Sequence, residues 1–276
     1  MSEKKSDKVI SSIILSIIVF LMAVPLYFLI NNAFKQRSFI VKSPLVLTSE
    51  SFTFGNITKA FSLMKFSQSA LVSIAILVIS CAGLIILGSL ASFEISTNKT
   101  KGMRTLYAII AALITVPVSC AQIPLARELS SMGLLNNWFA PSIVYIAFGL
   151  PFTIFIFTGY SYSIPAAIWE AAKIDGCSQM NAYMHVYLPL IKMTTASIII
   201  MRGTYIWNDI LVPLITITSG KDQTLPQKLV SFASNSMSRW DLIFAATLLI
   251  SLPMLVFYLF FQKSFVSALT GGAVKG

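Results

Sequence analysis

Apolar and polar positions run along this chain in long blocks. No charged side chain interrupts residues 9–34, and about 20 apolar residues suffice to carry a helix across a hydrocarbon core. Five further blocks reach or approach that length, at residues 66–93, 105–126, 139–160, 190–213 and 242–262. The pattern predicts six membrane-spanning helices. Pro25 is expected to bend the first, and Gly83, Gly88, Ser89 and Ala91 give the second a set of small side chains over which another helix can approach closely. Pro117 and Pro124 predict a break towards the end of the third. Between the first two spans, residues 35–65 are polar and basic, and Phe52, Phe54 and Phe61 mark a short amphipathic piece at the interface. No intervening block is long enough to bury a core of its own.

One polar block does not read as a connector. Residues 163–189, S-I-P-A-A-I-W-E-A-A-K-I-D-G-C-S-Q-M-N-A-Y-M-H-V-Y-L-P, are too polar for lipid and too helix-prone for a slack loop. Ser163 is placed to cap a helix carrying Pro165 in its first turn, where the missing N–H costs nothing. Gly176 supplies the left-handed position that ends this helix, Ser178 starts a second, and Leu188-Pro189 terminates or bends it. The expectation is helix, glycine turn, helix, lying along a membrane face. Ala167, Ala171 and Ile174 share one stripe, so a partner's backbone can come close over small side chains, with Glu170 beside it.

Composition narrows the class. A chain of 276 residues that is 56% hydrophobic and 11% charged is not an ordinary soluble domain. Its net charge of +10 is scattered over loops, without the basic stripe or stacking aromatics that nucleic acid requires, so membrane lipid headgroups are the expected counter-charge. Cys81, Cys120 and Cys177 have no metal-ligand spacing and imply neither a zinc site nor a disulfide framework. The first apolar run is too long for a signal-peptide core and reads as a retained span. His185, the single histidine, reads as a solvated or partner-facing ring, and no nucleophile–base or paired-carboxylate arrangement presents itself. A G-x-x-x-x-G-K-[ST] phosphate loop is absent, so nucleotide chemistry belongs to another polypeptide.

The pattern Glu170-Ala171-Ala172, three residues, Gly176, nine residues, Val186-x-Leu188-Pro189 resembles the E-A-A-x3-G-x9-I-x-L-P signature of binding-protein-dependent ABC importer permeases, with valine in place of isoleucine. The longer string E-A-A-K-I-D-G is similar to the carbohydrate-uptake branch, and so is Phe265-Val266 followed by Leu269-Thr270-x-Gly272-Ala273-Val274-Lys275-Gly276; both resemble the smaller permease subunit of maltose-type systems. The resemblance implies an all-α, six-helix polytopic membrane protein of the type I ABC importer permease fold, with residues 1–276 as one transmembrane domain. It makes 163–189 a cytoplasmic coupling loop that meets an ATPase through Glu170, Ala171, Ala172, Ile174, Asp175 and Gly176. The implied partners are a second homologous permease subunit, two ABC ATPase subunits, an extracellular solute-binding protein and a carbohydrate substrate. No cofactor is expected in this chain, since ATP and Mg sit on the ATPase subunits. Basic residues divide almost evenly between the two sets of loops, so the positive-inside rule leaves orientation open; the resemblance puts both termini in the cytoplasm of a bacterial plasma membrane. A permease for another polar solute, such as a polyol or glycerol phosphate, and a sensor or scaffold that docks an ATPase without transport are the alternatives.

Candidate path residues lie on the fifth span. A charge at a helix centre costs roughly 2.5–3.5 kcal/mol on insertion scales, so Arg202 is expected to face a helix interior or a water-filled cavity. Tyr205 and Asp209 follow on a similar face, and Trp207-Asn208-Asp209 resembles a W-N-[DE] element of sugar permeases. Arg202 either pairs with Asp209 or Glu94, or lines the path and touches substrate; in the latter case it suits an acidic glycan better than a neutral one. Phe152, Phe155 and Phe157 either pack or stack on sugar faces. In the long polar segment 216–239, Ser219, Gly220, Lys221 and Asp222 form the expected tip, which in the family reaches the docked binding protein.

Overall fold

The computed structural model describes the backbone of residues 5–218, 222–235 and 239–271 and most of their side chains. Most of the described residues are helical, and no β-strand occurs among them. Among the described residues, four helices are long and apolar enough to cross a membrane, or up to six spans result if each of two sharply bent helix pairs is one. The chain divides into two compact units, residues 1–67 with 228–253 and residues 68–227 with 254–276.

In the first unit, α1 (Lys5–Ala33) continues through Pro25, and its apolar side chains from residue 10 to residue 27 are exposed, as a lipid-facing helix requires. Its last turn would leave carbonyls unpaired. Asn56 Nδ2 meets that need by donating to Ala33 O at 3.2 Å and to Lys35 O at 2.8 Å. The wholly buried Lys35 donates from Nζ to Ser43 O at 2.7 Å and Pro44 O at 3.2 Å, which closes the end of α2 (Arg37–Lys42). Burial pushes the pKa of this ammonium below the usual lysine value. Phe52 and Phe54 pack on Phe34 at centroid distances of 6.0 and 5.4 Å, ahead of α3 (Gly55–Leu63). Phe61 on that helix meets Phe66 at 5.0 Å. Of the predicted interfacial piece, Phe52 and Phe54 therefore form an aromatic knot at the end of α1, while Phe61 pairs with Phe66.

The second unit is built on α4 (Phe66–Thr97), whose buried face repeats at three- and four-residue steps through Ser69, Ser73, Ile76, Ser80, Leu84, Gly88 and Ser92. Opposite it, after α5 (Lys101–Leu113), a 3-10 turn Val118–Ala121 and α6 (Gln122–Ser131), stands α7 (Ala140–Ser161). A Cβ built on Gly88 would lie 2.6 Å from Thr153 Cγ2 of α7, so glycine sets the approach of these helices. The third predicted span is not one helix. Its two pieces differ in direction by 85°, because extended Pro117 cannot continue the hydrogen-bond ladder, whereas Pro124 sits harmlessly in the first turn of α6.

The polar block forms α8 (Ala166–Ile174), then α9 (Gln179–Asn181), a π-helical turn Ala182–Tyr187 and α10 (Leu188–Leu190). Gly176 takes φ +71°, and Ser178 Oγ accepts from Asn181 N at 3.3 Å, so the glycine turn and the second cap stand where expected. Ser163 does not cap α8: its Oγ donates to Tyr160 O at 2.6 Å, and Pro165 takes the cap position. The bend into α11 (Lys192–Asn208), of 69°, falls at Ile191, since Pro189 lies in the first turn of α10, where no N–H is needed. The fifth predicted span then stops early: Asp209 is extended, and residues beyond it form α12 (Leu211–Thr216). The chain continues through α13 (Leu225–Asn235) to α14 (Trp240–Gly271). Arg239 grips Asp241, in the first turn of α14, at 3.0 and 2.7 Å, and this hydrogen-bonded carboxylate holds the guanidinium above its ordinary pKa.

Candidate functional site

The polar block has two faces. Glu170, Ala171, Asp175 and Gly176 are exposed, and Ile174 is 85% exposed, an apolar side chain with no described residue over it. Ala172 turns inward and is buried. On the inward side, Trp169 lies 5.8 Å from Phe93 and 6.1 Å from Tyr187, and Phe93 also contacts Tyr183 at 5.5 Å and Tyr187 at 5.3 Å. The two tyrosine hydroxyls are spent on the spans. Tyr183 Oη pairs with Ser89 Oγ at 2.7 Å, and Tyr187 Oη pairs with Ser92 Oγ at 2.5 Å and Ser161 Oγ at 2.8 Å. Gln179 Nε2 donates to Glu94 Oε2 at 2.7 Å, and Asn98 Nδ2 holds the other oxygen at 3.2 Å. The block is thereby tied to α4 by two tyrosines and a glutamine and to the end of α7 by one of those tyrosines. A cavity of about 730 Å³ lies beside this junction, lined among others by Glu94, Lys99, Trp169, Glu170 and Lys173.

Nothing in the composition around Tyr183 and Tyr187 marks them as anchors. Their spacing of four puts them on one helical face, which is the only local signal they give.

The second group lies on α11. Arg202 is half-buried, with its guanidinium carbon 4.9 Å from the Tyr205 ring centroid and 5.8 Å from that of Phe152. A Cβ on Gly149 would stand 2.7 Å from its Nη2, so the missing side chain there is the room the guanidinium occupies. Neither expected ion pair forms. Asp209 accepts from Tyr145 Oη at 2.9 Å, Leu211 N at 3.2 Å and Val212 N at 3.1 Å, the last two at the start of α12. Glu94 is held by Asn98 and Gln179. Of the remaining candidates, Tyr205 stays 45% exposed, Trp207 is buried, and Asn208 Nδ2 bonds back to Thr204 O at 2.8 Å. Arg202 and Tyr205 are thus brought together, while Trp207 goes to the core and Asp209 is taken up by the first two N–H groups of α12. Phe155 stacks on Tyr107 at 6.0 Å and Phe157 is wholly buried, which leaves Phe152 as the phenylalanine beside the guanidinium.

Ser219, Gly220 and Lys221 lie outside the described residues, and Asp222 is half-buried at a bend. The strands of chain leading to them are anchored. Asn136 Oδ1 accepts from Thr218 N at 2.8 Å and Oγ1 at 2.7 Å, and Gln227 Nε2 donates to Ile217 O at 2.5 Å.

Residues 85–271 match the model of a family described as binding-protein-dependent transport system inner membrane component. The chain is 30% identical over 254 residues to the melibiose/raffinose/stachyose import permease protein MelC of Bacillus subtilis, covering 92% of this chain and 91% of that protein. It is 29% identical to AmyC of Thermoanaerobacterium thermosulfurigenes, a probable starch degradation products transport system permease, over 91% of each chain. The diacetylchitobiose uptake system permease NgcG of Streptomyces coelicolor is 28% identical over 92% of this chain and 85% of its own. The fold matches that of a chain from a bacterial ABC transporter involved in import of the acidic polysaccharide alginate, with a TM-score of 0.78 at 20% identity over 95% of this chain and 99% of that one. With the family model covering well over half of its length, the chain belongs to the inner-membrane permeases of binding-protein-dependent ABC transport systems.

Proposed function

We propose that this chain forms one half of the translocation pathway of an ATP-driven importer for oligosaccharides or related carbohydrates. The relatives that support this reading are permeases named for melibiose, raffinose and stachyose, for starch degradation products and for diacetylchitobiose. The partners are a second homologous permease, two ABC ATPase subunits and a solute-binding protein on the outer side. Residues 163–189 and both termini face the cytoplasm of a bacterial plasma membrane. This subunit catalyses no reaction itself; ATP and Mg act on the ATPase subunits.

One observation carries the coupling role: the exposed face of Glu170, Ala171 and Ile174 is backed by side chains that fasten the same segment to α4 and α7. A groove on an ATPase subunit receives α8, whose small Ala171 allows close approach while Glu170 meets a cationic group. When ATP draws the ATPase pair together, the load passes through Tyr183 and Tyr187 to α4 and α7, and alternating access follows from the movement of one permease against the other. Most affinity resides in the solute-binding protein, so the permease need hold solute only weakly.

The test is affinity purification from native membranes in mild detergent, with Glu170→Lys beside wild type, followed by an ATPase assay. ATPase subunits and a second permease are expected with wild type, and the variant should lose the ATPase subunits. If no ATPase associates with wild type, the coupling role is wrong.

A further inference from the structure

Arg202 is a cation without an anion. Among the described residues it makes no hydrogen bond and no ion pair, and its Nε is buried without a partner. Arginine stays charged at any accessible pH, so a guanidinium inside a span calls for a counter-charge. The nearest acid along the helix, Asp209, has its oxygens committed to Tyr145 and the start of α12, and Glu94 is held by Asn98 and Gln179. What surrounds Arg202 instead is a seat: the open backbone of Gly149 beneath Nη2 and the rings of Tyr205 and Phe152 beside the guanidinium carbon. The aromatic faces ease the charge without neutralising it. The seat opens to one side, where Met201 and Tyr205 on the same helix are 51% and 45% exposed and no described residue covers that exposed surface.

We propose that Arg202, flanked by Tyr205 and Phe152, is a transient binding seat for the carboxylate or sulfate group of an acidic oligosaccharide in transit. The inference rests on the carbohydrate reading above and names the class of carbohydrate. A planar guanidinium with its fork free matches an oxyanion in two-point geometry. Aromatic rings beside it offer flat apolar faces to the C–H side of a pyranose, so charge and ring are met together. A site crossed during transport gains from this design, since a single charged contact recognises an anion while leaving few interactions to break on release.

The experiment uses the complete importer, with partner permease, ATPase subunits and solute-binding protein, in proteoliposomes. Uptake of labelled trigalacturonate is compared with its fully methyl-esterified form, which keeps the shape and removes the charge, and with maltotriose. Wild type should favour the acid over the ester. Arg202→Met should lower uptake of the acid by about ten-fold or more and leave that of the ester unchanged, as expected for loss of one charge-assisted contact. Arg202→Lys, which keeps the charge and loses the fork, should fall between. Equal treatment of acid and ester by wild type, or equal loss of both in Arg202→Met, overturns the proposal. Failure of Arg202→Met to co-purify with the partner permease, while Arg202→Lys does, also overturns it, by assigning the counter-ion to that partner. Uptake of maltotriose alone removes the acidic class and leaves the carbohydrate reading standing. An importer that consumes ATP and moves none of the three overturns the proposal, and the carbohydrate reading falls with it only if melibiose, raffinose and diacetylchitobiose are not moved either.

Discussion

A tyrosine hydroxyl that bridges two helices is a small group with a large reach. Tyr187 Oη touches Ser92 on α4 and Ser161 on α7, and each such bond contributes a net of about 0.5–1.5 kcal/mol. Tyr187→Phe keeps the ring against Phe93 and Trp169, so its cost isolates the hydroxyl: about 1–2 kcal/mol, read as a lowered melting temperature of the purified chain. Tyr183→Phe, with one such bond, should cost about half as much. Two glycines make the complementary point about volume. Gly88→Val would drive a side chain into Thr153 and Phe157, at an expected 1–3 kcal/mol, roughly, for overpacking. Gly159, on the same α7 helix as Thr153, has open space around it, so Gly159→Ala should be neutral or stabilising by roughly 0.5–1 kcal/mol. Thermal melts of both variants decide whether glycine is required for contact or merely tolerated.

At the scale of elements, the sequence reveals what is periodic or local and hides what is distant. The apolar blocks locate the long helices because composition alone decides whether a segment tolerates lipid. Pro117 marks the break in the third block because a missing N–H is a local fact. The bend at Ile191 carries no such mark: the proline stands two residues earlier, and the widened turn before it has no residue signature. Asp209 illustrates a competition. Seven residues after Arg202 it looks like an ion-pair partner, but its carboxylate is taken by the backbone N–H groups of the next helix, which lie two and three residues away. The exposed face of Glu170 to Gly176 is legible for the opposite reason, since a polar, alanine-rich helix ending in glycine is defined within itself. Its anchor is not, because Tyr183 and Tyr187 meet serines 94 and 95 residues away. Gly176 itself yields a prediction. Its φ of +71° is a conformation alanine adopts only under strain, so Gly176→Ala should cost about 1 kcal/mol. Amide hydrogen exchange should show the loss as faster opening of the last turn of α8, with the protection of α7 unchanged.

For the whole molecule, docking an ATPase and transmitting its motion are separate tasks, and different side chains of one segment serve them. Glu170 and Ile174 on α8 point away from the chain, whereas Tyr183 and Tyr187 point into it, with the glycine turn and α9 between the two sets. If force enters at the outer face and leaves through the tyrosine hydroxyls, the two kinds of variant fail differently. Glu170→Lys should remove the ATPase subunits from the purified complex, so that no transport remains to be measured. Tyr187→Phe should keep those subunits, because nothing on the docking face has changed. Its α7 attachment through Ser161 is gone, however, and part of each ATPase stroke should move the loop without moving the span. The expected signature is more ATP hydrolysed per solute imported in proteoliposomes, with the subunit ratio of the complex unaltered. Ring packing alone cannot produce that result, since phenylalanine preserves it. A Tyr187→Phe importer with the wild-type ratio of ATP to solute would show that the aromatic stack transmits the load and that the hydroxyls only stabilise it.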